Sequence, residues 1–334
     1  MAGLPSLDDI EATGRRIAPH VVETPSFQWR DPLVEAVLGD GALHLKLEFL
    51  QRTGSFKARG AINNILALSE AERRRGVVAV SAGNHAVAVS YAARVLGVSA
   101  KVVMHRRANP ARVEKSRAFG AEVILAEDIA QAFDTMNRIR EDEGRALVHP
   151  FEGERTVLGT ATAGLELARQ VPDLDAVIVA VGGGGLIAGI GTAIKAVRPG
   201  CQVIGVEPTG AAGLTRSLEL GRPVDRVDVD TIADSMGAPM HTPATFGICR
   251  EVIDRMVQVD DDAMCRAMAL LFDGLKLAME PAGAAALAAL LGPLRGNLEG
   301  RRVAAVLCGS NIDDETYCTL LKRGRNSLAP GGAG

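Results

Sequence analysis

Lys57 is the residue whose sequence position is most informative about chemistry. It lies in the segment TGSFKARGA (residues 53–61), just before a stretch whose apolar residues recur at helical spacing. We expect Thr53 or Ser55 to cap this helix and Lys57 to lie in its first turn. The positive end of the helix dipole and the apolar neighbour Phe56 should both lower the pKa of the lysine. Such a lysine is suited to forming a Schiff base, whereas a solvated lysine at the start of a surface helix is the alternative without chemistry.

Three further segments follow apolar strands and could bind a ligand. SAGNH (81–85) places small polar residues and free amides at a helix N-terminus, which suits a carboxylate, although Asn84 and His85 could be simple caps. Four consecutive glycines (182–185) allow backbone amides to surround a phosphate closely. Cys308 follows a third strand, as either a core residue or a group that faces the ligand. Ligands of an open parallel sheet bind beyond the carboxyl ends of its strands, so we expect one shared site.

The glycine segment also fits a different class of enzyme. Residues 183–188 read GGGLIA, which matches the dinucleotide-binding pattern G-x-G-x-x-G/A. Glu207 ends the following strand, where a dinucleotide-binding fold places an acid that contacts ribose. This segment alone therefore allows an NAD-dependent dehydrogenase, but that function gives no role to Lys57.

The elements that must position these residues alternate between strand and helix. Apolar strands and amphipathic helices follow one another at roughly 22-residue spacing from residue 76 to 148, and a second series covers 160–206. Further helices over 261–278, 281–291 and 313–322 flank one more strand. This alternation predicts parallel sheets with helices on their faces. No low-complexity linker separates the two series, so the domains should be discontinuous in sequence.

Composition argues against several functions. The chain has 334 residues, of which 47% are hydrophobic, enough for two domains with separate cores. A net charge of −3 and an aromatic content of 3% disfavour a nucleic-acid partner. We expect no membrane span and no signal peptide, and therefore a cytoplasmic protein. The five cysteines are scattered without a CxxC pair, which indicates reduced thiols and no zinc site.

Together, these segments resemble the fold-type-II pyridoxal-phosphate enzymes, and among them the serine/threonine dehydratase and serine racemase group. The resemblance covers about residues 10 to 322, and SFKARGA matches the family's S-F-K-x-R-G-A. It implies that Lys57 is the catalytic Schiff-base lysine and that Cys308 faces the pyridine nitrogen of pyridoxal 5′-phosphate (PLP). The other cofactor-binding residues that it implies are Phe56, Asn84, Gly182, Gly183, Gly184, Gly185 and Leu186. The residues that it implies for the amino-acid substrate are Ser81, Ala82, Asn84 and His85.

The resemblance also implies an architecture and an activity. The fold expected is two three-layer α/β domains with mostly parallel sheets, as in the tryptophan synthase β-like fold. Residues 1–52 and 148–325 should form the large PLP-binding domain, residues 53–147 the small domain, and residues 326–334 a flexible tail. The enzyme should be a homodimeric ammonia-lyase that converts a β-hydroxy amino acid such as L-threonine or L-serine to a 2-oxo acid and ammonia.

Departures from the family pattern leave the substrate open. The family often has A-G-Q-G-T where this chain has LGTAT (158–162), and SMGAP (235–239) also differs. Other β-hydroxy amino acids, of the 3-hydroxyaspartate or phenylserine type, therefore remain alternatives. An amino-acid racemase and a non-catalytic PLP-binding paralogue remain as well. Ala82 stands where the racemases of the group have a serine, so we expect elimination rather than racemisation.

The family's divalent-cation site is expected to be weakened in this chain. Glu207 and the Ala211 carbonyl match two of its ligands, but Gly213 stands where an aspartate would complete the site. Hard cations need several oxygen ligands, preferably anionic ones. We therefore expect a monovalent ion or a weakly bound divalent ion.

Overall fold

The computed structural model describes residues 4–328, and this part of the chain forms fourteen α-helices and ten β-strands. The helices are α1 (Leu7–Ile17), α2 (Pro32–Leu38), α3 (Lys57–Leu66), α4 (Glu70–Arg75), α5 (Asn84–Val95), α6 (Pro110–Ala118), α7 (Ile129–Glu143), α8 (Glu154–Gln170), α9 (Gly185–Val197), α10 (Gly213–Leu220), α11 (Pro243–Val252), α12 (Asp261–Leu275), α13 (Pro281–Leu291) and α14 (Asp314–Leu328). The strands are β1 (Ser26–Trp29), β2 (Ala42–Lys46), β3 (Val77–Val80), β4 (Ala100–His105), β5 (Glu122–Ala126), β6 (Ala146–Leu147), β7 (Ala176–Ala180), β8 (Gln202–Pro208), β9 (Arg255–Val259) and β10 (Arg302–Val306).

Six strands form the larger sheet, in the order β1-β2-β10-β7-β8-β9. Neighbouring strands are parallel except β1, which pairs antiparallel with β2. The central strand β7 is buried at every position, as expected for a strand that helices cover on both faces. This sheet therefore presents the carboxyl ends of β7 and β10 side by side.

The smaller sheet has the order β5-β4-β3-β6, and all of its strands are parallel. Val77 and Ala79 pack in a cluster with Ile62 and Val89 of α3 and α5, whereas Val78 packs with Met136 of α7. Alternate residues of β3 thus face opposite sides, and both sides are buried. The predicted fold class, α/β with two mostly parallel sheets, is confirmed.

Several element boundaries differ from those predicted. The helix expected over 160–170 begins instead at Glu154, directly after Gly153, whose φ is +95°. The sequence analysis did not identify β1, β2 or β9 as strands. β1 and β9 are the edges of the larger sheet and carry exposed residues, so their apolar pattern is weak. α14 continues through Leu328, and residues 329–334 of the expected tail lie outside the described residues.

Side-chain caps divide the helices into two groups. α1, α2, α4, α6, α7 and α12 each follow a residue whose side chain accepts a hydrogen bond from a first-turn amide. No such bond is present at the start of α3, α5, α8, α9, α10, α11 or α13. The first amides of a helix have no partner within the helix, so α3, α5 and α9, which follow the segments singled out in the sequence, begin with donors available to a ligand. No helix in the described part of the chain is long and apolar enough to cross a membrane.

Candidate active site

Lys57 is the first residue of α3, as predicted, but the predicted cap is wrong. Phe56 precedes the helix in the right-handed α conformation, and neither Thr53 nor Ser55 caps it. Ser55 forms a β-bridge with Gly309, which gives its backbone the conformation of a strand. The Ser55 hydroxyl is fully buried and has no partner among the described residues. Buried hydroxyl groups of this kind usually bond to an ordered water or to a ligand.

The Lys57 ammonium is enclosed by protein groups. Its Nζ donates to the Pro150 carbonyl at 2.6 Å and lies 5.1 Å from the centre of the Phe56 ring. Burial lowers the pKa of Lys57 to about 8, an effect that the Cys308 thiol opposes. The sequence predicted this direction, and the main cause in the structure is the loss of solvent around the charged form.

A cavity beside Lys57 joins elements of both sheets. The segment that follows β6 contributes to it, together with the starts of α3, α5, α8 and α9. Its lining residues are Phe56, Lys57, Gly60, Ala61, His85, His149, Pro150, Thr156, Thr160 and Gly185. The helix starts that carry SFKARGA, the asparagine loop (81–85) and the glycine loop (182–185) therefore meet at one place, as the sequence predicted.

The two histidines of the cavity are neutral. Burial lowers the pKa of His85 to about 3 and that of His149 to about 4, and the nearby lysine charge acts in the same direction. His85 Nε2 lies 2.8 Å from the Val148 carbonyl, so we assign its proton to Nε2. His149 Nδ1 accepts from the amides of Phe151 and Glu152, which also leaves its proton on Nε2. Each ring therefore has a fixed donor and brings no charge to the site.

A buried ionic cluster anchors α3 two residues after Lys57. The Arg59 guanidinium donates to both oxygens of Glu48 at 2.8 Å and to both oxygens of Glu166 at 2.6 and 2.8 Å. Lys46 Nζ also binds Glu166, at 2.8 Å. Arg59, Glu48 and Lys46 are fully buried. Loss of one partner from such a cluster typically costs roughly 3–5 kcal/mol, so the first turn of α3 is rigidly held.

The Asn84 side chain is fixed by three partners from segments of the larger sheet. Its Nδ2 donates to Glu280 at 2.6 Å and to the Ser235 hydroxyl at 3.3 Å. Its Oδ1 accepts from Asn311 Nδ2 at 2.7 Å. Burial raises the pKa of Glu280, which lies under the asparagine loop just before α13. These bonds settle the orientation of the amide group of Asn84.

The glycine loop starts α9 with unsatisfied amides. Among the described residues, no hydrogen bond is donated by the amides of residues 183–186. Gly184 has a φ of +90°, which other residues rarely adopt, and a Cβ at Gly183 would lie 2.2 Å from the Phe151 ring. Thr160 supports the loop by donating to the Gly185 carbonyl at 2.7 Å. The glycines thus serve close packing as well as presenting amides, and the loop can hold an anion of phosphate size.

Cys308 lies at the carboxyl end of β10 and beside Lys57. Its Sγ donates to the Ala282 carbonyl at 3.3 Å, and its own carbonyl accepts from the Phe56 amide at 3.1 Å. Burial raises the pKa of the Cys308 thiol, with the Glu280 carboxyl as a second cause, so the thiol stays neutral. A neutral group at this position can accept or donate one weak hydrogen bond without adding charge.

This set of residues fits pyridoxal 5′-phosphate. The free amides of residues 183–186 suit its phosphate, and Lys57 suits its aldehyde. Neutral Cys308 and the oriented amide of Asn84 are the side chains suited to its ring nitrogen and hydroxyl. The unsatisfied starts of α3, α5 and α9 give the cavity a positive potential, which matches the negative charges of the cofactor and of a substrate carboxylate.

The candidate cation ligand Glu207 already has protein partners. Its Oε1 accepts from the Leu214 amide at 2.7 Å, and its Oε2 accepts from the amide and hydroxyl of Thr215 at 2.8 and 2.7 Å. The carboxylate therefore satisfies the first amides of α10, while Ala211 ends the short turn before that helix. Among the described residues, no group of three or more His, Cys, Asp or Glu is placed to hold a metal ion.

Sequence reasoning missed several residues of this site, among them His149 and Arg112. His149 follows β6, which the sequence already indicated as a short strand, so the rule that ligands bind at strand ends could have found it. Arg112 gave no local signal, because its partners are far away in sequence. Its guanidinium donates to Asp234, Glu280 and the carbonyl of Asn311, which lie 122, 168 and 199 residues further along the chain.

Comparison with known proteins is consistent with this geometry. A family profile described as "Pyridoxal-phosphate dependent enzyme" matches residues 17–309. The phenylserine dehydratase of Ralstonia pickettii is 53% identical over 321 residues, which cover 96% of this chain and 98% of that protein. The L-threonine ammonia-lyase of Thermotoga maritima is 39% identical, over 96% of this chain and 79% of that protein. Maize serine racemase superimposes with a TM-score of 0.88 at 33% identity, over 98% of this chain and 100% of that one.

Proposed function

This chain belongs to the pyridoxal-phosphate-dependent enzymes and is of their ammonia-lyase (dehydratase) type, and we propose that its substrate is a β-hydroxy amino acid with an aryl group at Cβ, as in phenylserine. The observation that carries the proposal is the 53% identity to a phenylserine dehydratase over nearly the full length of both chains. The dehydrogenase considered from the glycine loop is not supported, because the family is a different one. The products would be a 2-oxo acid and ammonia.

The proposal gives each part of the site a role. When bound, PLP supplies an electron sink for the charge that develops at Cα. The amides of residues 183–186 would hold its phosphate, with Gly182 completing the loop. Asn84 would bind its ring hydroxyl, Cys308 would lie at its ring nitrogen and Phe56 would border it. These groups lie on segments that follow strands of both sheets, so the cofactor would lie between the two sheets.

Lys57 holds and moves the proton at Cα. A pKa of about 8 leaves roughly a tenth of Nζ unprotonated at pH 7, far more than for an exposed lysine, and a base requires the unprotonated form. The Pro150 carbonyl orients Nζ, and the cluster around Arg59 fixes the helix that carries it. The role of base therefore depends on a lysine whose charge is disfavoured and whose position is fixed.

The charges around the cavity favour a substrate with an uncharged group at Cβ. Asn84 and His85 begin α5, and Ser81 and Ala82 lie just before it; this helix start suits the α-carboxylate. A second carboxylate would find neutral imidazoles in the cavity. Phe56, Pro150 and Ala61 line the cavity with apolar surface instead. These features support an aryl group over the carboxylate of 3-hydroxyaspartate.

A substrate panel tests the proposal. Purified holoenzyme is incubated with phenylserine, threonine, serine and 3-hydroxyaspartate, and the 2-oxo acid and ammonia from each are quantified. We expect the highest kcat/KM with phenylserine, no turnover in Lys57→Ala, and unchanged turnover in Lys322→Ala, which alters an exposed lysine of α14. No oxo acid from any of the four substrates would refute the proposed function. A kcat/KM for 3-hydroxyaspartate above that for phenylserine would refute the argument from charge.

L-Threonine or L-serine is the second candidate substrate, and the 39% identity to a threonine ammonia-lyase supports it. A higher kcat/KM for threonine than for phenylserine in the same panel would favour it. The expected homodimer, the domain boundaries and the cation stay predictions. The cation expected near Glu207 and Ala211 would compete with the amides at the start of α10.

A further inference from the structure

Arg112 extends from α6, which follows a strand of the smaller sheet, to three segments that belong to the larger one. Its Nη1 and Nη2 bind Asp234, its Nη2 also lies 3.4 Å from Glu280, and its Nε donates to the Asn311 carbonyl at 2.9 Å. Arg112 is only 4% exposed although it ends among polar loops. A planar guanidinium in this position fixes the two parts of the chain relative to each other.

The hydrogen-bond count of the guanidinium leaves one donor over. An arginine has five N–H groups, and the contacts with Asp234, Glu280 and Asn311 use four of them. The remaining hydrogen is on Nη1, and no acceptor among the described residues takes it. A buried, charged N–H without a partner is costly, so this position calls for an acceptor.

Arg112 Nη1, which carries the unused hydrogen, lies beside the asparagine loop. A Cβ built on Gly83 would lie 3.8 Å from Arg112 Nη1 and 3.9 Å from Ser81 Oγ. The guanidinium and the hydroxyl therefore border the same open side of Gly83. Ser81 Oγ accepts from the Gly83 amide at 3.1 Å, which leaves the hydroxyl hydrogen for a ligand. The amides at the start of α5 are next to both groups and lack a side-chain cap.

We propose that Arg112 completes the binding site for the α-carboxylate of the substrate, with its free Nη1 hydrogen directed at that carboxylate beside Ser81 and the start of α5. Asp234 is then a competitor for the guanidinium as well as its support, because its side chain is 60% exposed and shares Nη1. The inference rests on the proposed function in one respect: it takes the carboxylate of an amino acid to bind at the asparagine loop.

Ligands that cannot undergo elimination separate this inference from the proposed function. L-Phenylalanine and 2-phenylethylamine differ only by the carboxylate, and neither has a β-hydroxyl to eliminate. Their dissociation constants are measured with holoenzyme by calorimetry or by the change in visible absorbance. The comparison needs no turnover, so a negative substrate panel would refute the proposed function without deciding this question.

We expect Arg112→Gln to raise the dissociation constant of L-phenylalanine on the order of tenfold or more, because this ligand has the charged acceptor. The dissociation constant of 2-phenylethylamine, which lacks the carboxylate, should rise by less than about twofold. Arg112→Lys keeps the charge but not the planar fork, so an intermediate loss is expected. Asp234→Asn should leave the affinity for L-phenylalanine unchanged or increase it. Arg325→Gln, which breaks the exposed ion pair with Asp273, is the matched control and should change the affinity for neither ligand.

Two results would overturn the inference. If Arg112→Gln and Arg112→Lys lower the affinity for both ligands equally, the role of Arg112 is purely structural. The second result is an equal loss of affinity for L-phenylalanine in Asp234→Asn and in Arg112→Gln. It would show that the ion pair matters only as a bridge between the two parts of the chain. Thermal melting of each variant identifies any that fails to fold, and Arg112→Lys is the variant that keeps the comparison valid in that case.

Discussion

Replacing Lys57 by methionine should stabilise the apoprotein while it abolishes turnover. Burial lowers the pKa of Lys57 from 10.5 to about 8, and each tenfold change in proton affinity corresponds to about 1.4 kcal/mol. Keeping the charged lysine in the fold therefore costs about 3 kcal/mol at neutral pH. Methionine has a similar length and helix propensity but no charge to desolvate.

The lost hydrogen bond partly offsets this gain. Lys57 Nζ donates to the Pro150 carbonyl at 2.6 Å, and removal of that donor typically costs about 1 kcal/mol. The burial penalty is the larger of the two, so the net gain in the free energy of unfolding should be about 2 kcal/mol at pH 7. The residue on which the proposed reaction depends is thus one that the fold would be more stable without.

The pH dependence gives the prediction a signature. Between pH 8 and 10.5 the unfolded chain binds the lysine proton and the folded chain does not, so stability of the wild type rises with pH in this window. The penalty falls to about 1 kcal/mol at pH 10, and the advantage of Lys57→Met should disappear with it. Urea unfolding of both apoproteins at pH 7 and pH 10 measures this, with Lys322→Met as the exposed control. A variant that is no more stable than the wild type at pH 7, or an advantage that persists at pH 10, would refute the reasoning.

Further changes test the glycine loop and the region of the cation. Gly184→Asp adds a carboxylate to the loop that is proposed to hold the phosphate and forces a side chain onto a φ of +90°, so PLP content measured by absorbance should fall by at least about tenfold. Gly221→Asp has the same kind of backbone strain at a φ of +68° with open space around it, and should retain PLP. Glu207 already accepts hydrogen bonds from amides at the start of α10, so a chelator should change kcat by less than about twofold. For the same reason Glu207→Gln, which weakens these bonds, should lower the free energy of unfolding by about 1 kcal/mol. Chelator inactivation that magnesium reverses would contradict the cation argument.

The parts of the site that the sequence predicted are those encoded by short local segments. An apolar strand followed by SAGNH or by four glycines specifies a strand, a turn and a helix start. The topology of a parallel sheet then brings such turns to one edge without any knowledge of side-chain contacts. The convergence around Lys57 could therefore be predicted. The direction of the pKa shift of Lys57 was predicted as well, although its main cause in the structure is burial and not the helix dipole.

The parts that could not be predicted depend on partners distant in sequence. Arg59 looks like a surface residue of an amphipathic helix until Glu166, 107 residues away, is placed against it. The same is true of Arg112 and Glu280, which meet only when the two sheets are in place. The cap of α3 was mispredicted for the same reason: the bridge between Ser55 and Gly309 outweighs the local preference of serine for a cap position. Buried polar pairs of this kind have no period in the sequence.

The preference for elimination over racemisation is the remaining prediction, and it depends on Ala82. Inversion at Cα needs an acid on the face opposite Lys57, and Ala82, half-buried between Ser81 and Gly83, has no proton to donate. Ser81 is a poor substitute, because its hydroxyl hydrogen is proposed to bind the substrate carboxylate while its oxygen accepts a hydrogen bond from the Gly83 amide at 3.1 Å. The wild type should therefore form a 2-oxo acid from L-serine with little D-serine, measured by chiral chromatography. Ala82→Ser should raise the ratio of D-serine to pyruvate on the order of tenfold by supplying the missing donor, whereas Ala82→Gly should not. D-Serine formed by the wild type as fast as pyruvate would show that another residue donates from that face.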